Sequence, residues 1–235
     1  MRALSAIFIV VGFLICLPVG SVGASTNIVQ SKDFSGIPNL TETLNFKQFD
    51  DLGGTLTLQS IQVLLELEVS GGSMILDNDG VDPAAGTFEF GAKGSISSSD
   101  VSLLDIALDP VTGVVEAMHI GTFNLAGNQG DGQTDFDPTN PDGMQYYGSI
   151  EFDSDSGFIT PIVFSDYIGT GTFDIEFGVT QWQDFGGISG IEWAIAPVSA
   201  VGKVEVIYNY VPEPATMAFL SIGLLFCRRR HLRSR

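Results

Sequence analysis

The residues with the clearest chemical potential in this chain are clustered carboxylates. In Asp77-Asn78-Asp79-Gly80-Val81-Asp82, acidic side chains alternate around a glycine that permits a sharp turn. Calcium takes several oxygen ligands at about 2.4 Å, and this spacing is that of the first half of an EF-type loop. The twelfth position, where such a loop carries a bidentate glutamate, is Phe88. The pattern predicts a calcium site at Asp77, Asp79 and Asp82, and a solvated acidic turn is the alternative.

A second acidic cluster lies in the stretch 127–143, which is rich in glycine and proline. Its carboxylates are Asp131, Asp135, Asp137 and Asp142. A connection of this length without secondary structure is costly to order, and a bound divalent cation would order it. We therefore predict that calcium also binds at Asp131, Asp135 and Asp137.

Catalytic side chains are scarce between Ser25 and Tyr210. His119 is the single histidine there, and its position within an apolar alternating stretch indicates a structural role. This part of the chain has no cysteine and no arginine, so it offers neither a thiol nucleophile nor a bidentate anion clamp. Trp182 and Trp193 are expected to pack rather than to stack on sugars. We predict that the protein is not an enzyme.

The net charge excludes one large class of partners. Between Ser25 and Tyr210 there are 27 acidic residues and only four lysines, a formal charge of −23. Such a surface repels nucleic acid and favours solubility and divalent cations. No nucleic-acid partner is expected.

The elements that position these residues are predicted to be strands. Apolar residues alternate with polar ones along 61–69, 172–179 and 203–210, and glycine-rich turns separate the alternating stretches. Shorter strands are expected at Phe88–Phe90, Val101–Leu103, 114–120 and 146–152. The pattern predicts an all-β fold, an antiparallel β-sandwich of jelly-roll or Ig-like type, over residues 25–210. Its predicted core is Ile61, Val63, Leu65, Leu67, Phe173, Ile175, Phe177, Val204 and Val206. Because Leu56 and Leu58 have the opposite phase, a bulge, or a bend between two sheets, is expected at Gln59-Ser60.

The N-terminal segment has the order of a secretory signal peptide. Arg2 precedes an apolar run from Ala3 to Leu17, and Val22-Gly23-Ala24 has the small residues of a cleavage site. We predict a signal helix within residues 1–24 that signal peptidase removes.

The C-terminal segment, residues 211–235, has three parts in a fixed order. Val211-Pro212-Glu213-Pro214 precedes a run from Met217 to Cys227 in which only Ser221 is polar, and Arg228, Arg229 and Arg230 follow. Arginines stay on the cytoplasmic side of a membrane-entering helix. The apolar part, counted from Ala215, would be about 20 Å long as a helix, against about 30 Å of hydrocarbon, which favours a processed signal over a permanent anchor.

These residues resemble the PEP-CTERM sorting signal, which membrane proteases called exosortases recognise. The resemblance implies a short transmembrane helix, an exosortase partner, export with membrane association during sorting, and a final location at the cell surface or outside the cell. A permanent tail anchor is the alternative.

The body carries a second resemblance, to the β-rich choice-of-anchor E domain. It rests on residues 49–56, on 167–172, and on Val206-Ile207-Tyr208-Asn209-Tyr210 before the tail. It implies a secreted, anchored β-domain. The sequence thus predicts a structural or adhesive protein of the cell surface or biofilm matrix, with an exopolysaccharide as a further partner. The alternatives are a carbohydrate-binding module and, less favoured, a glycoside hydrolase.

Overall fold

The computed structural model describes residues 25–130, 136–139, 141–187 and 189–213, and Ser25–Pro212 forms one compact unit. Strands dominate it, with one short 3-10 turn at Pro161–Val163 and one single-turn helix, α1, at Phe164–Tyr167. The strands are β1 Thr26–Gly36, β2 Leu40–Lys47, β3 Leu56–Ser70, β4 Ser73–Asn78, β5 Ala84–Ser97, β6 Val115–Leu125, β7 Gly143–Tyr147, β8 Ile150–Phe158, β9 Thr172–Asp184, β10 Ile191–Ala196 and β11 Ser199–Pro212.

Two four-stranded antiparallel sheets form the sandwich. The first has the order β1-β11-β3-β8 and the second the order β2-β9-β5-β6. If these eight strands are numbered by themselves along the chain, the orders become 1-8-3-6 and 2-7-4-5. Strand 1 then pairs with 8, 2 with 7, 3 with 6 and 4 with 5, which is the strand pairing of a jelly roll. The all-β prediction is confirmed, and of the two predicted sandwich types the strand order is that of the jelly roll.

A third, small sheet of order β10-β4-β7 was not predicted. Its strands lie in the connections β3–β5, β6–β8 and β9–β11, which therefore meet at one end of the sandwich. We call this the small-sheet end. Gly71 and Gly72, both with positive φ, let the chain leave β3 and enter β4.

The core lies between the inner faces of the two large sheets. All nine predicted core residues are buried, the most exposed being Phe173 at 2%. Phe34 of the first sheet meets Phe177 of the second edge-on, with ring centroids 4.5 Å apart. Gly202 lies beside this pair, and a Cβ there would come within 2.2 Å of both rings. Period-two alternation therefore identified the buried faces correctly.

The predicted bulge is confirmed near the beginning of β3. Asn209 pairs with Ser60, but the next residue, Tyr210, pairs with Leu58, so Gln59 is the extra residue. This insertion reconciles the opposite phases of Leu58 and Ile61.

Side chains close both open sides of the sandwich. On one side the Gln30 amide of β1 donates to the Lys47 carbonyl of β2 and accepts from the Lys47 N–H, both at 2.8 Å. On the other side Asp153 of β8 accepts the backbone N–H of Glu116, the second residue of β6, at 2.7 Å. These contacts satisfy edge groups that would otherwise be open to another chain.

The predicted strand at Val101–Leu103 is wrong. The Ser98 hydroxyl accepts the N–H groups of Asp100 and Val101 and so turns the chain there, while Val101 is still buried. The alternation of apolar residues here indicates burial, but the segment does not pair as a strand.

The predicted signal helix of residues 1–24 and the predicted helix of residues 215–227 lie outside the described residues. Within the described part of the chain, no helix has the length and apolar character needed to cross a membrane.

Candidate functional site

The C-terminal exit, where the tail leaves β11 at Val211, Pro212 and Glu213, is the site that the sequence indicates most clearly. The last strand runs two residues beyond the predicted domain end at 210, because Val211 pairs with Thr57 and Pro212 with Leu56. Proline has no N–H to donate, and Pro212 lies beyond the last pair of β1 with β11, Thr26 with Tyr210, so β11 is an edge strand at this point. Glu213, the next residue, is exposed. The remaining predicted signal residues, Pro214, Arg228, Arg229 and Arg230, lie outside the described residues.

The exit lies at the opposite end of the sandwich from the small sheet. Ser199 begins β11 opposite Ser70, next to the turn into β4, whereas Pro212 ends it opposite Leu56. Fourteen strand residues span roughly 43 Å at about 3.3 Å per residue. The acidic connections are therefore about 40 Å from the point where the tail leaves the body.

Asn78 organises the first predicted calcium loop. Its buried side-chain amide donates to the carbonyls of Asp82, at 2.9 Å, and Ala126, at 2.5 Å, while its Oδ1 accepts the Gly80 N–H at 3.0 Å. Asn78 was not among the predicted site residues. An asparagine followed two residues later by glycine is a known signal for this side-chain-closed turn.

The carboxylate of Asp77 faces away from the turn, on the outer side of the small sheet. Glu192 of β10 is its cross-strand neighbour there. Each accepts a backbone N–H from the same segment: Asp77 from Asp137, at 3.0 Å, and Glu192 from Phe136, at 3.1 Å. The structure thus brings Asp77 and Asp137 together through the backbone of Asp137, whose own carboxylate accepts from Thr139. Glu192 was missed because the pairing of β10 with β4 is not visible in the sequence.

Asp142 joins the acidic stretch to the same end. Its carboxylate accepts the Gln129 N–H at 2.6 Å, and its carbonyl accepts the Asn78 N–H at 3.0 Å. The connection between β6 and β7 is therefore fixed to the small sheet through the Asp142 carbonyl, and its two ends are joined through the Asp142 carboxylate.

The described residues contain no group of three acidic, histidine or cysteine side chains placed to hold one metal ion. Asp79 is partly buried and Asp82 is exposed. Asp131 and Asp135 lie outside the described residues. Calcium binding at Asp77, Asp79, Asp82, Asp131, Asp135 and Asp137 stays a prediction.

His119 is fully buried in β6. Its ring lies 4.8 Å from that of Phe90, and neither ring nitrogen has a hydrogen-bond partner. Burial lowers its pKa below the usual 6.5, and the carboxylate of Glu151, with Oε1 3.8 Å from Nδ1, offsets this only in part. The imidazole is therefore neutral at pH 7 and packs as part of the core.

Both tryptophans are partly exposed, and each has one ring face occupied. The ammonium of Lys93 lies 3.8 Å from the centre of the Trp182 ring, and Trp193 stacks on Phe185 with centroids 4.6 Å apart. These contacts fit packing at the surface and leave less ring area for a sugar.

Among known protein families, one sequence motif matches the tail. Residues 211–230 match the PEP-CTERM protein-sorting motif, which supports the prediction of an exosortase-sorted, exported protein. The motif therefore begins within β11, since Val211 and Pro212 belong to both. No curated protein matches the chain.

Solved structures give only a distant likeness. The infectious bursal disease virus VP2 subviral particle is 12% identical with a TM-score of 0.19, and the match covers 89% of this chain and 50% of that one. The structure of the Gx strain of that virus is also 12% identical, with a TM-score of 0.20 and 90% and 50% coverage. The chain spans about half the length of these structures.

Proposed function

We propose that this protein is a non-catalytic β-domain that an exosortase sorts and that then serves a structural or adhesive role at the cell surface or in the extracellular matrix. The PEP-CTERM motif at residues 211–230 is the observation that carries this proposal. The relation to a choice-of-anchor E domain is part of the proposal and rests on the sequence resemblance.

The structure at the end of β11 supports recognition of the tail by an exosortase while the domain is folded. The strand pairs of Val211 and Pro212 keep the start of the motif in the sheet, and exposed Glu213 is the first residue beyond it. An exosortase would therefore meet its substrate directly beside a folded body, with no spacer.

The non-catalytic part of the proposal is supported by where acid–base groups lie. His119 is in the core, and Tyr167 and Tyr208 are fully buried, with burial raising the pKa of each phenol so that both stay neutral. Their positions favour packing roles: the Tyr167 hydroxyl donates to the Ser102 carbonyl at 2.9 Å, and the Tyr208 hydroxyl donates to that of Lys47 at 3.1 Å.

The proposal is tested by changing the charge of the tail in cells that contain an exosortase. Replacing Arg228, Arg229 and Arg230 with glutamine should leave unsorted protein in the membrane fraction, because these charges set the orientation of the tail. The matched control replaces Arg233 and Arg235, which lie beyond residue 230, and should be sorted normally. Normal surface delivery of the triple variant would contradict the proposal.

A further inference from the structure

The four lysines of the body fall into two pairs with different surroundings. Lys93 forms an ion pair with Glu116 at 2.7 Å, and Lys203 forms ion pairs with Glu66 at 2.5 Å and Glu205 at 3.4 Å. Among the described residues, Lys32 and Lys47 have no carboxylate within ion-pair distance. In a body of charge −23 it is notable that half of the cations are left uncompensated.

Lys32 and Lys47 line the same cleft. It has a volume of about 460 Å³ and lies between β1 and the chain from Lys47 to Asp50. Ser31 and Asp50 also line it, and the rings of Phe49 and Tyr208, with centroids 5.7 Å apart, lie beneath it and are fully buried. Clefts of this size bind small ligands in many proteins.

The walls of the cleft are held in place before any ligand arrives. The Lys47 backbone is fixed by the Gln30 amide and by the Tyr208 hydroxyl. Phe49 is fixed on both sides, since its N–H donates to the Tyr167 carbonyl at 2.7 Å and its carbonyl accepts from Gly169 at 2.9 Å. A preformed site loses less conformational entropy on binding.

We infer that this cleft between β1 and β2 binds a sugar residue that carries a single carboxylate, such as a glucuronic acid unit. The ammonium groups of Lys32 and Lys47 supply the positive charge for the carboxylate. The Asp50 carboxylate, one oxygen of which accepts the Leu52 N–H at 2.9 Å, supplies an acceptor for a ring hydroxyl. A bare anion would gain nothing from Asp50.

Charge also decides which carboxylated sugar fits. The acidic body repels a densely charged polymer more strongly than a single carboxylate among neutral sugars, because screening over about 8 Å leaves only the charges near the cleft to act on one carboxylate. Phosphate is less suited, because the body has no arginine to bind it in a bidentate manner. This inference rests on the proposed function only for the setting, since an exported domain is one that meets extracellular glycans.

The test is calorimetric titration of the purified full-length chain in detergent with a trisaccharide whose central unit is glucuronic acid. The same trisaccharide with glucose at the centre is the neutral control ligand. We expect the acidic trisaccharide to bind and the neutral one to bind at least tenfold more weakly. Equal affinity for both, or no heat with either, would overturn the inference.

Variants locate the site. Lys32→Gln and Lys47→Gln should each weaken binding about five- to tenfold, because each removes one charge-assisted contact. Lys93→Gln makes the same charge change at a position on β5 that does not line the cleft, and it should bind as the unchanged protein does. An equal loss in Lys93→Gln would mean that net charge, not the cleft, controls affinity.

Asp50→Asn separates a sugar site from a general anion site. It should weaken binding of the acidic trisaccharide, since a ring hydroxyl loses its charged acceptor, while acetate, a bare carboxylate, should bind more tightly. If Asp50→Asn strengthens both, the cleft is an anion site without sugar recognition. This outcome is independent of sorting, so failure here leaves the exosortase proposal standing.

Discussion

Replacing Asn78 with alanine should destabilise the small-sheet end more than any change at the neighbouring aspartates. The substitution removes three hydrogen bonds of a buried amide, to the carbonyls of Asp82 and Ala126 and from the Gly80 N–H. At about 0.5–1.5 kcal/mol net for each, the free energy of unfolding should fall by about 2–4 kcal/mol. For a domain of this size that lowers the melting temperature by roughly 4–16 °C.

The assay is thermal unfolding of the full-length chain followed by circular dichroism in the presence of EDTA. The control is Asp82→Ala, because Asp82 contributes its backbone carbonyl to the turn and its side chain is exposed. It should melt within about 2 °C of the unchanged protein by the usual effect of surface substitutions. If Asn78→Ala melts like the unchanged protein, or Asp82→Ala falls as far, the turn is not held by the asparagine.

Three further changes test other parts of the fold. His119→Phe should remove a sensitivity to acid. Because the pKa of His119 is lowered in the folded state, the unfolded chain binds more protons, and the free energy of unfolding of the unchanged protein should fall relative to that of the variant below pH 6.5, by at most about 1.4 kcal/mol per pH unit. Parallel curves of stability against pH would refute this. Millimolar calcium should raise the melting temperature by a few degrees more than sodium at matched ionic strength, and Asp79→Ala should lose that difference; an unchanged response in the variant would leave only a solvated turn. Asp153→Ala should lower the free energy of unfolding by about 1–3 kcal/mol, because the Glu116 N–H at the edge of β6 loses its acceptor. The control Ser154→Ala, on the same strand, should lower it by under about 0.5 kcal/mol in urea unfolding. Equal losses would show that the Asp153 contact does not hold β8 to β6.

The faces of the long strands could be predicted because burial in a sandwich repeats every two residues. Phe173, Ile175 and Phe177 showed the inner face of β9, and the phase change after Leu58 showed the bulge. Both signals are local in sequence, so they need no knowledge of which strands pair.

The small sheet could not be predicted because its pairing is entirely non-local. Ile191 pairs with Asn78, 113 residues away in the sequence, and neither short strand shows a strong alternation of its own. The burial of Asp77 and the contact role of Glu192 follow from this pairing. The composition showed that the acidic stretches differ chemically from the rest of the chain. It did not show that backbone N–H groups and one asparagine amide form hydrogen bonds with several of their polar groups.

The position of the tail junction was also beyond a local pattern. Alternation in β11 ends near Tyr210, yet Val211 and Pro212 still pair with β3 because β3 begins as early as Leu56. Strand ends depend on the length of the partner strand as well as on the sequence of the strand itself.

If the tail is a signal that an exosortase recognises and cleaves, mass spectrometry of the mature C-terminus should show the cleavage. Protein purified from the surface or medium of cells that contain an exosortase should end between Glu213 and Ala215, without the apolar run and the arginines, and with β11 intact through Pro212. Cells without the exosortase should retain the whole tail. A mature surface protein that still carries the apolar run and Arg228, Arg229 and Arg230 would contradict cleavage of the tail.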